Sequence, residues 1–140
     1  MMEGIVRKLR FKGQERIAII NASDGHYNRL KSEIADVKAD RSIDPRFLYE
    51  FMVVFVSSCS EVKELAPAAL HNLAADGVLW FVYPKKKSRD EKSDIDRDHG
   101  WEAIEDMGFR RVSQVAVDDV WSALRFRNTA FVKSAKKEAI

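Results

Sequence analysis

Two unbroken runs of large apolar residues, 51–56 and 77–84, stand out from the mixed hydrophobic and polar pattern around them. Each is short and bounded by turn-forming residues, which predicts a strand buried on both faces rather than one. A third run at 16–21, Arg-Ile-Ala-Ile-Ile-Asn, is β-branched and lies between Gly13 and Ser23-Asp24-Gly25, so it reads as a further strand. Residues 36–40 alternate apolar and polar and predict an edge strand. The alternation at 112–117, the turn Asp118-Asp119 and the return at 121–127 predict an antiparallel hairpin. That hairpin would put Trp121, Ala123 and Arg125 on one face and Ser122, Leu124 and Phe126 on the other.

Helical patterns fill the intervals. Residues 1–13 form an amphipathic lead-in with Ile5, Leu9 and Phe11 on one side. Tyr27 to about Ile34 predicts a short helix on the spacing of Leu30 and Ile34. Ser57-Ser58-Cys59-Ser60 offers N-caps, with Glu61 and Glu64 at the positive end of a helix running to about Ala75. Pro67 is expected to kink that helix or to start a second piece. Asp98 is expected to cap a helix carrying Trp101, Ile104 and Glu105 up to Gly108. Residues 88–97 read as a loop, and 128–140 as a basic tail following a single domain over 1–127. Strands alternating with helices imply a mostly parallel sheet covered on both faces, with the hairpin as an antiparallel edge.

Composition narrows the function classes. Hydrophobic residues make up 46% of the 140 and charged residues 33%, the balance of a globular chain. The net charge of +2 provides no global field for nucleic acid, so that partner is not expected. No run approaches the roughly 20 apolar residues of a membrane span. The charged N-terminus is unlike a signal peptide, and the single Cys59 fits a reducing compartment, so the cytoplasm is the expected location. Oligomerisation is left open.

Chemistry concentrates where strands end. In an open α/β sheet, ligands sit outside the carboxyl ends of the strands. Asn21, Ser23, His26, Ser57, Lys85 and Lys86 all follow predicted strands, and small polar groups with lysines suit a phosphate or carboxylate. The ligand-binding edge is therefore expected at 21–26, 57–60 and 84–87. Asp94-x-Asp96-x-Asp98, with Glu105 eleven positions after Asp94, has the spacing of a calcium loop. His99 stands where that loop needs glycine, so capping aspartates are the better reading. The same spacing serves Asp118 or Asp119 as an acid/base with Arg125 as an anion clamp, and a hairpin turn whose aspartate pairs with Arg125; the turn is the preferred reading. His26, His71 and His99 lack metal-ligand spacing, no metal site is expected, and Cys59 reads as a structural thiol. No catalytic residue and no cofactor are assigned.

The strings Tyr83-Pro84-Lys85-Lys86 and Val117-Asp118-Asp119-Val120-Trp121-Ser122-Ala123-Leu124-Arg125-Phe126, with Asp98-His99-Gly100-Trp101, carry a resemblance. On them, most of the chain resembles a bacterial family of short α/β proteins, a domain of unknown function. More distantly, about 51–127 is similar to the second half of S-adenosylmethionine-dependent methyltransferases. The shared pattern is a helix ending in Ala-Asp-Gly, the strand Val-Leu-Trp-Phe-Val, Met-Gly-Phe and a closing hairpin. The resemblance implies a Rossmann-like three-layer α/β fold, mostly parallel, with a C-terminal antiparallel hairpin. It also implies a Gly-rich cofactor loop after the first strand and an acidic residue ending the second. Here the loop is Asn21-Ala22-Ser23-Asp24-Gly25-His26, with one glycine, and the acid would be Asp40. The leading expectation is a module binding a small anionic ligand. A group-transfer enzyme related to those methyltransferases is the alternative, and a structural or protein-interaction module the third.

Overall fold

A computed structural model describes residues 4–34, 36–85 and 94–132. The chain runs α1 (Ile5–Lys8), β1 (Ile17–Ile20), α2 (Asp24–Glu33), β2 (Ala39–Asp40), β3 (Tyr49–Phe55), α3 (Cys59–His71), β4 (Leu73–Pro84), α4 (Glu102–Glu105), β5 (Phe109–Ala116) and β6 (Trp121–Asn128). A single 3₁₀ turn, Thr129–Phe131, follows. The strands form one six-stranded sheet in the order β2-β1-β3-β4-β6-β5. Strands β1 to β4 pair in parallel, and β6 and β5 add the antiparallel part. This is a Rossmann-like mixed α/β fold.

The period of two in the buried strands divides the core. Ile17, Ile19, Phe51, Val53, Phe55, Trp80, Val82 and Ala123 face α1 and α2, where they meet Ile5, Leu9, Leu30 and Ile34. Ala18, Met52, Val54, Leu79, Phe81, Leu124 and Phe126 face the other way, onto Val62, Ala66 and Leu70 of α3 and onto Trp101 and Ile104. Apolar residues at every position from Phe51 to Phe55 of β3 are thus explained by two cores, one on each side.

Several boundaries differ from expectation. Helix α2 starts at Asp24 rather than Tyr27, because the Ser23 hydroxyl accepts the His26 N–H and caps it. Helix α3 stops at His71 and continues unbroken through Pro67, whose ring is on the exposed side. Residues 73–75, expected in that helix, open β4 instead, with Leu73 paired to Tyr49. The register shifts just after that pair, and a Cβ on Gly77 would lie 3.0 Å from the Tyr49 carbonyl oxygen, so a side chain there would force its neighbours to give. Asp98 does not cap α4. That helix begins at Glu102 after Trp101, without a side-chain cap. Asp94 caps α3 instead, accepting the Cys59 N–H at 2.6 Å.

Lys86, Lys87 and residues 88–93 of the expected loop lie outside the described residues, as do 133–140 of the expected tail. No helix among the described residues is long and apolar enough to cross a membrane.

Candidate functional site

The chain leaves β1 toward one face of the sheet and β3 toward the other. After β1, α2 packs with α1 on one core; after β3, α3 packs on the opposite core. β1 and β3 are hydrogen-bonded neighbours, so their carboxyl ends diverge and leave a crevice, the switch point at which open α/β sheets hold ligands. A cleft of about 370 Å³ lies there, lined by Asn21, Ala22, Ser23, His26, Phe55, Ser57, Glu61 and Trp121. Four of the six residues singled out in the sequence, Asn21, Ser23, His26 and Ser57, therefore share one cleft.

Lys85 does not line it. Lys85 borders a second opening of about 350 Å³ with Tyr83, Asp96, Arg97, Asp98, His99 and Gln114. Its backbone N–H is bonded to the Val120 carbonyl, which carries the chain onto the α4 side of β4.

Glu61 ties the cleft together. One carboxylate oxygen accepts the Ser57 N–H at 2.6 Å, and the other accepts Asn21 Nδ2 at 3.3 Å. Asn21 Nδ2 also donates to the Phe55 carbonyl at 2.8 Å. These bonds hold Asn21 at φ 60°, a left-handed conformation that asparagine tolerates better than most residues. A side chain read only as a helix-end acid thus links the ends of β1 and β3.

The opposite wall is aromatic. The His26 ring stacks on Phe55 with centroids 4.9 Å apart and meets the edge of Trp121 at 5.3 Å. Its Nδ1 lies 3.1 Å from Ser23 Oγ, and its Nε2 lies 3.7 Å from Asp118 Oδ2, which Arg29 approaches at the same distance. Asp118 Oδ1 accepts the backbone N–H groups of Val120 and Trp121 at 2.8 and 2.7 Å. The turn aspartate therefore meets His26 and Arg29, not Arg125 as expected.

Burial opposes the charge on Asp118, but the N–H groups of Trp121 and Val120, with His26 beside it, hold the carboxyl below its ordinary 3.8. A carboxyl lowered in the folded state adds stability above the unfolded value, and that stability is lost as pH falls through the folded one. Asp118→Asn is accordingly expected to be less stable than wild type at pH 7, with the gap closing as pH falls below about 4. Urea midpoints at the two pH values check this; an equal gap at both would remove the charge of Asp118 from the account.

The residues of the calcium pattern point apart. Asp94 caps α3, Asp96 accepts the Asp98 N–H and contacts His99, and Asp98 lies 3.4 Å from Arg111. Among the described residues no group of three metal-ligating side chains converges. Asp40, to which the methyltransferase resemblance would give a ribose-binding role, accepts the Tyr49 O–H at 2.6 Å and lies 3.8 Å from Arg16. Arg41 reaches back to the Ala22 carbonyl and Asp24, both at 3.0 Å.

No family model matches the sequence, and no curated protein matches it. Solved structures do. Ribosomal protein L11 methylase of Lactobacillus delbrueckii subsp. bulgaricus has a TM-score of 0.53 at 12% identity, over 88% of this chain and 74% of its own. An S-adenosylmethionine-dependent methyltransferase of Clostridium acetobutylicum gives 0.54 at 6% identity, over 86% of each chain. Phosphoethanolamine N-methyltransferase 2 of Haemonchus contortus, in complex with S-adenosyl-L-methionine, gives 0.54 at 12% identity. It is matched over 95% of this chain and 40% of its own. At these identities the likeness is one of fold, and the fold is that of methyltransferases.

Proposed function

We propose that this chain is a methyltransferase-related group-transfer protein whose ligand occupies the β1/β3 cleft. The observation that carries the reading is the cleft itself: a switch-point crevice joining the Glu61 carboxylate to an aromatic wall of His26, Phe55 and Trp121. Among the described residues, Glu61 is the one Asp, Glu, Lys or Arg side chain in that lining. A carboxylate beside aromatic faces suits a positively charged group, as quaternary ammonium and sulfonium centres are.

S-adenosylmethionine is the cofactor the reading implies, and the residues fit it at one end. Its sulfonium and ammonium charges match Glu61 and the aromatic wall. Its ribose does not match the second-strand acid, because Asp40 is engaged by Tyr49 and Arg16 and Arg41 closes over the Ala22 carbonyl. The proposed ligand is therefore a compact sulfonium or ammonium compound, held by its charge rather than by its nucleoside.

Calorimetry with S-adenosylmethionine, S-methylmethionine, choline and S-adenosylhomocysteine tests this. The sulfonium compounds are expected to bind saturably, the uncharged thioether of S-adenosylhomocysteine about tenfold more weakly, and Trp121→Ala to lower the affinity for the sulfonium compounds. Absence of saturable heat from every cationic compound at millimolar concentration would overturn the reading. The second reading, a small anionic ligand at the same sheet edge, is favoured by Lys85 beside Arg97 and His99. Dicarboxylates and sugar phosphates in the same panel, against Lys85→Ala, decide for or against it.

A further inference from the structure

The face of β5 and β6 toward α1 collects arginines. Arg110 stands directly opposite Arg127, and one step on Ser113 stands opposite Arg125. Arg125 is also the register partner of Trp80 on its other side. The Trp80 indole N–H is bonded to the Leu9 carbonyl, so the next residue, Arg10, is delivered to the same place. Like charges set directly opposite each other in a sheet are destabilising, and chains normally avoid the arrangement.

Asp76 takes Arg127 in a bidentate pair, at 2.9 Å to Nε and 2.7 Å to Nη2. Among the described residues no carboxylate pairs with Arg125 or with the exposed Arg10. Arg125 Nε and Ser113 Oγ are, moreover, buried without a hydrogen-bond partner among the described residues. A buried donor left unmatched is destabilising, more so when charged. Burial first, then the fields of Arg10 and Arg127, weaken Arg125's hold on its proton, against a smaller opposing pull from Asp76.

The irregularity in β5 gives this arrangement its register. Arg111 pairs with Phe126 and Ser113 with Arg125, so Val112 is the extra residue and a hydroxyl rather than an isopropyl group faces the guanidinium. Bulges that re-aim a side chain in this way gather at binding sites.

We propose that Arg10, Arg125 and Ser113 form a site for a small phosphate-type oxyanion, separate from the cleft at the carboxyl edge. It lies four residues along β6 from Trp121, about 13 Å away. A planar guanidinium with one arginine beside it and a hydroxyl opposite matches the geometry of a tetrahedral anion. Two unpaired guanidinium groups suit one such anion; a polyanion needs a longer stripe.

The test is titration of the whole chain with pyrophosphate and inorganic phosphate at fixed ionic strength, followed by calorimetry and amide NMR. Saturable binding is expected, about tenfold weaker in Arg10→Ala and in Arg125→Gln and unchanged in Lys85→Ala. Arg10 is exposed, so its variant carries the test if Arg125→Gln does not fold. A short oligothymidylate separates the two sources of phosphate: tighter binding than pyrophosphate, lost with the same arginines, would assign the anion to a nucleic-acid backbone. Affinity unchanged in both arginine variants, equal loss in Lys85→Ala, or no saturation by low millimolar pyrophosphate would each overturn the proposal.

Discussion

Trp80→Ala is expected to cost this protein a large share of its stability. Trp80 is fully buried among Phe51, Val53, Val82 and Ala123 in the core under α1 and α2, and its indole N–H reaches the Leu9 carbonyl at 2.7 Å. Removing a buried aromatic side chain costs about 3–5 kcal/mol. The Leu9 carbonyl would lose its partner as well, adding about 1–3 kcal/mol. Domains of this size hold about 5–15 kcal/mol in all, so a fall in melting temperature of roughly 15 °C or outright unfolding is expected. Trp80→Phe separates the two contributions: it keeps most of the buried surface and loses the bond. Its cost should be about 1–3 kcal/mol, with faster amide exchange concentrated in residues 5–9. Urea midpoints for Trp80→Ala within about 1 kcal/mol of wild type would show that α1 is not anchored through this residue.

The same residue shows what a sequence can and cannot display. The runs 51–56 and 77–84 were legible because apolar side chains at both parities leave only a doubly buried strand, and the structure has them in β3 and β4. The alternation of Trp121, Ala123 and Arg125 against Ser122, Leu124 and Phe126 was equally legible, and the two sets do face opposite cores. The first four residues of β4 were not. Leu73-Ala74-Ala75 continues the helix-forming pattern of α3, and local propensity there is overridden by pairing with Tyr49. Asp76 sits at φ 54°, held by its bidentate bond to Arg127, 51 positions away in sequence, which no local pattern encodes.

The cleft divides along the same line. Asn21, Ser23, His26 and Ser57 could be found because they follow strands. Phe55 and Trp121, read as core and hairpin residues, join them only because β6 returns on the far side of β4, setting Trp121 against His26. Glu61 was read correctly as an acid at a helix start, yet its reach to Ser57 and Asn21 depends on how closely β1 and β3 end together. The expectation of an anionic ligand came from lysines. Lys85 opens elsewhere, Lys86 lies outside the described residues, and the described lining of the cleft carries a carboxylate.

That carboxylate sets the second large effect. Glu61→Gln keeps the length and shape of the side chain but turns one of its two acceptor oxygens into a donor. The two groups it serves, Ser57 N–H and Asn21 Nδ2, are both donors, so one is left facing another donor, at about 1–2 kcal/mol of stability. The larger expected loss is in ligand affinity. With the negative charge gone, S-adenosylmethionine used as the probe should bind about 10- to 100-fold more weakly, since a charge-assisted contact is worth roughly twice a neutral one. Holding the loops and attracting the ligand are distinguished by comparison with S-adenosylhomocysteine, which lacks the sulfonium charge. A charge effect weakens the more positive ligand more, so the ratio of the two affinities should fall toward one in the variant. Equal weakening of both, with the wild-type ratio kept, would leave Glu61 as the residue that joins β1 to β3 and would turn the search for the cation's partner to the aromatic wall of His26, Phe55 and Trp121.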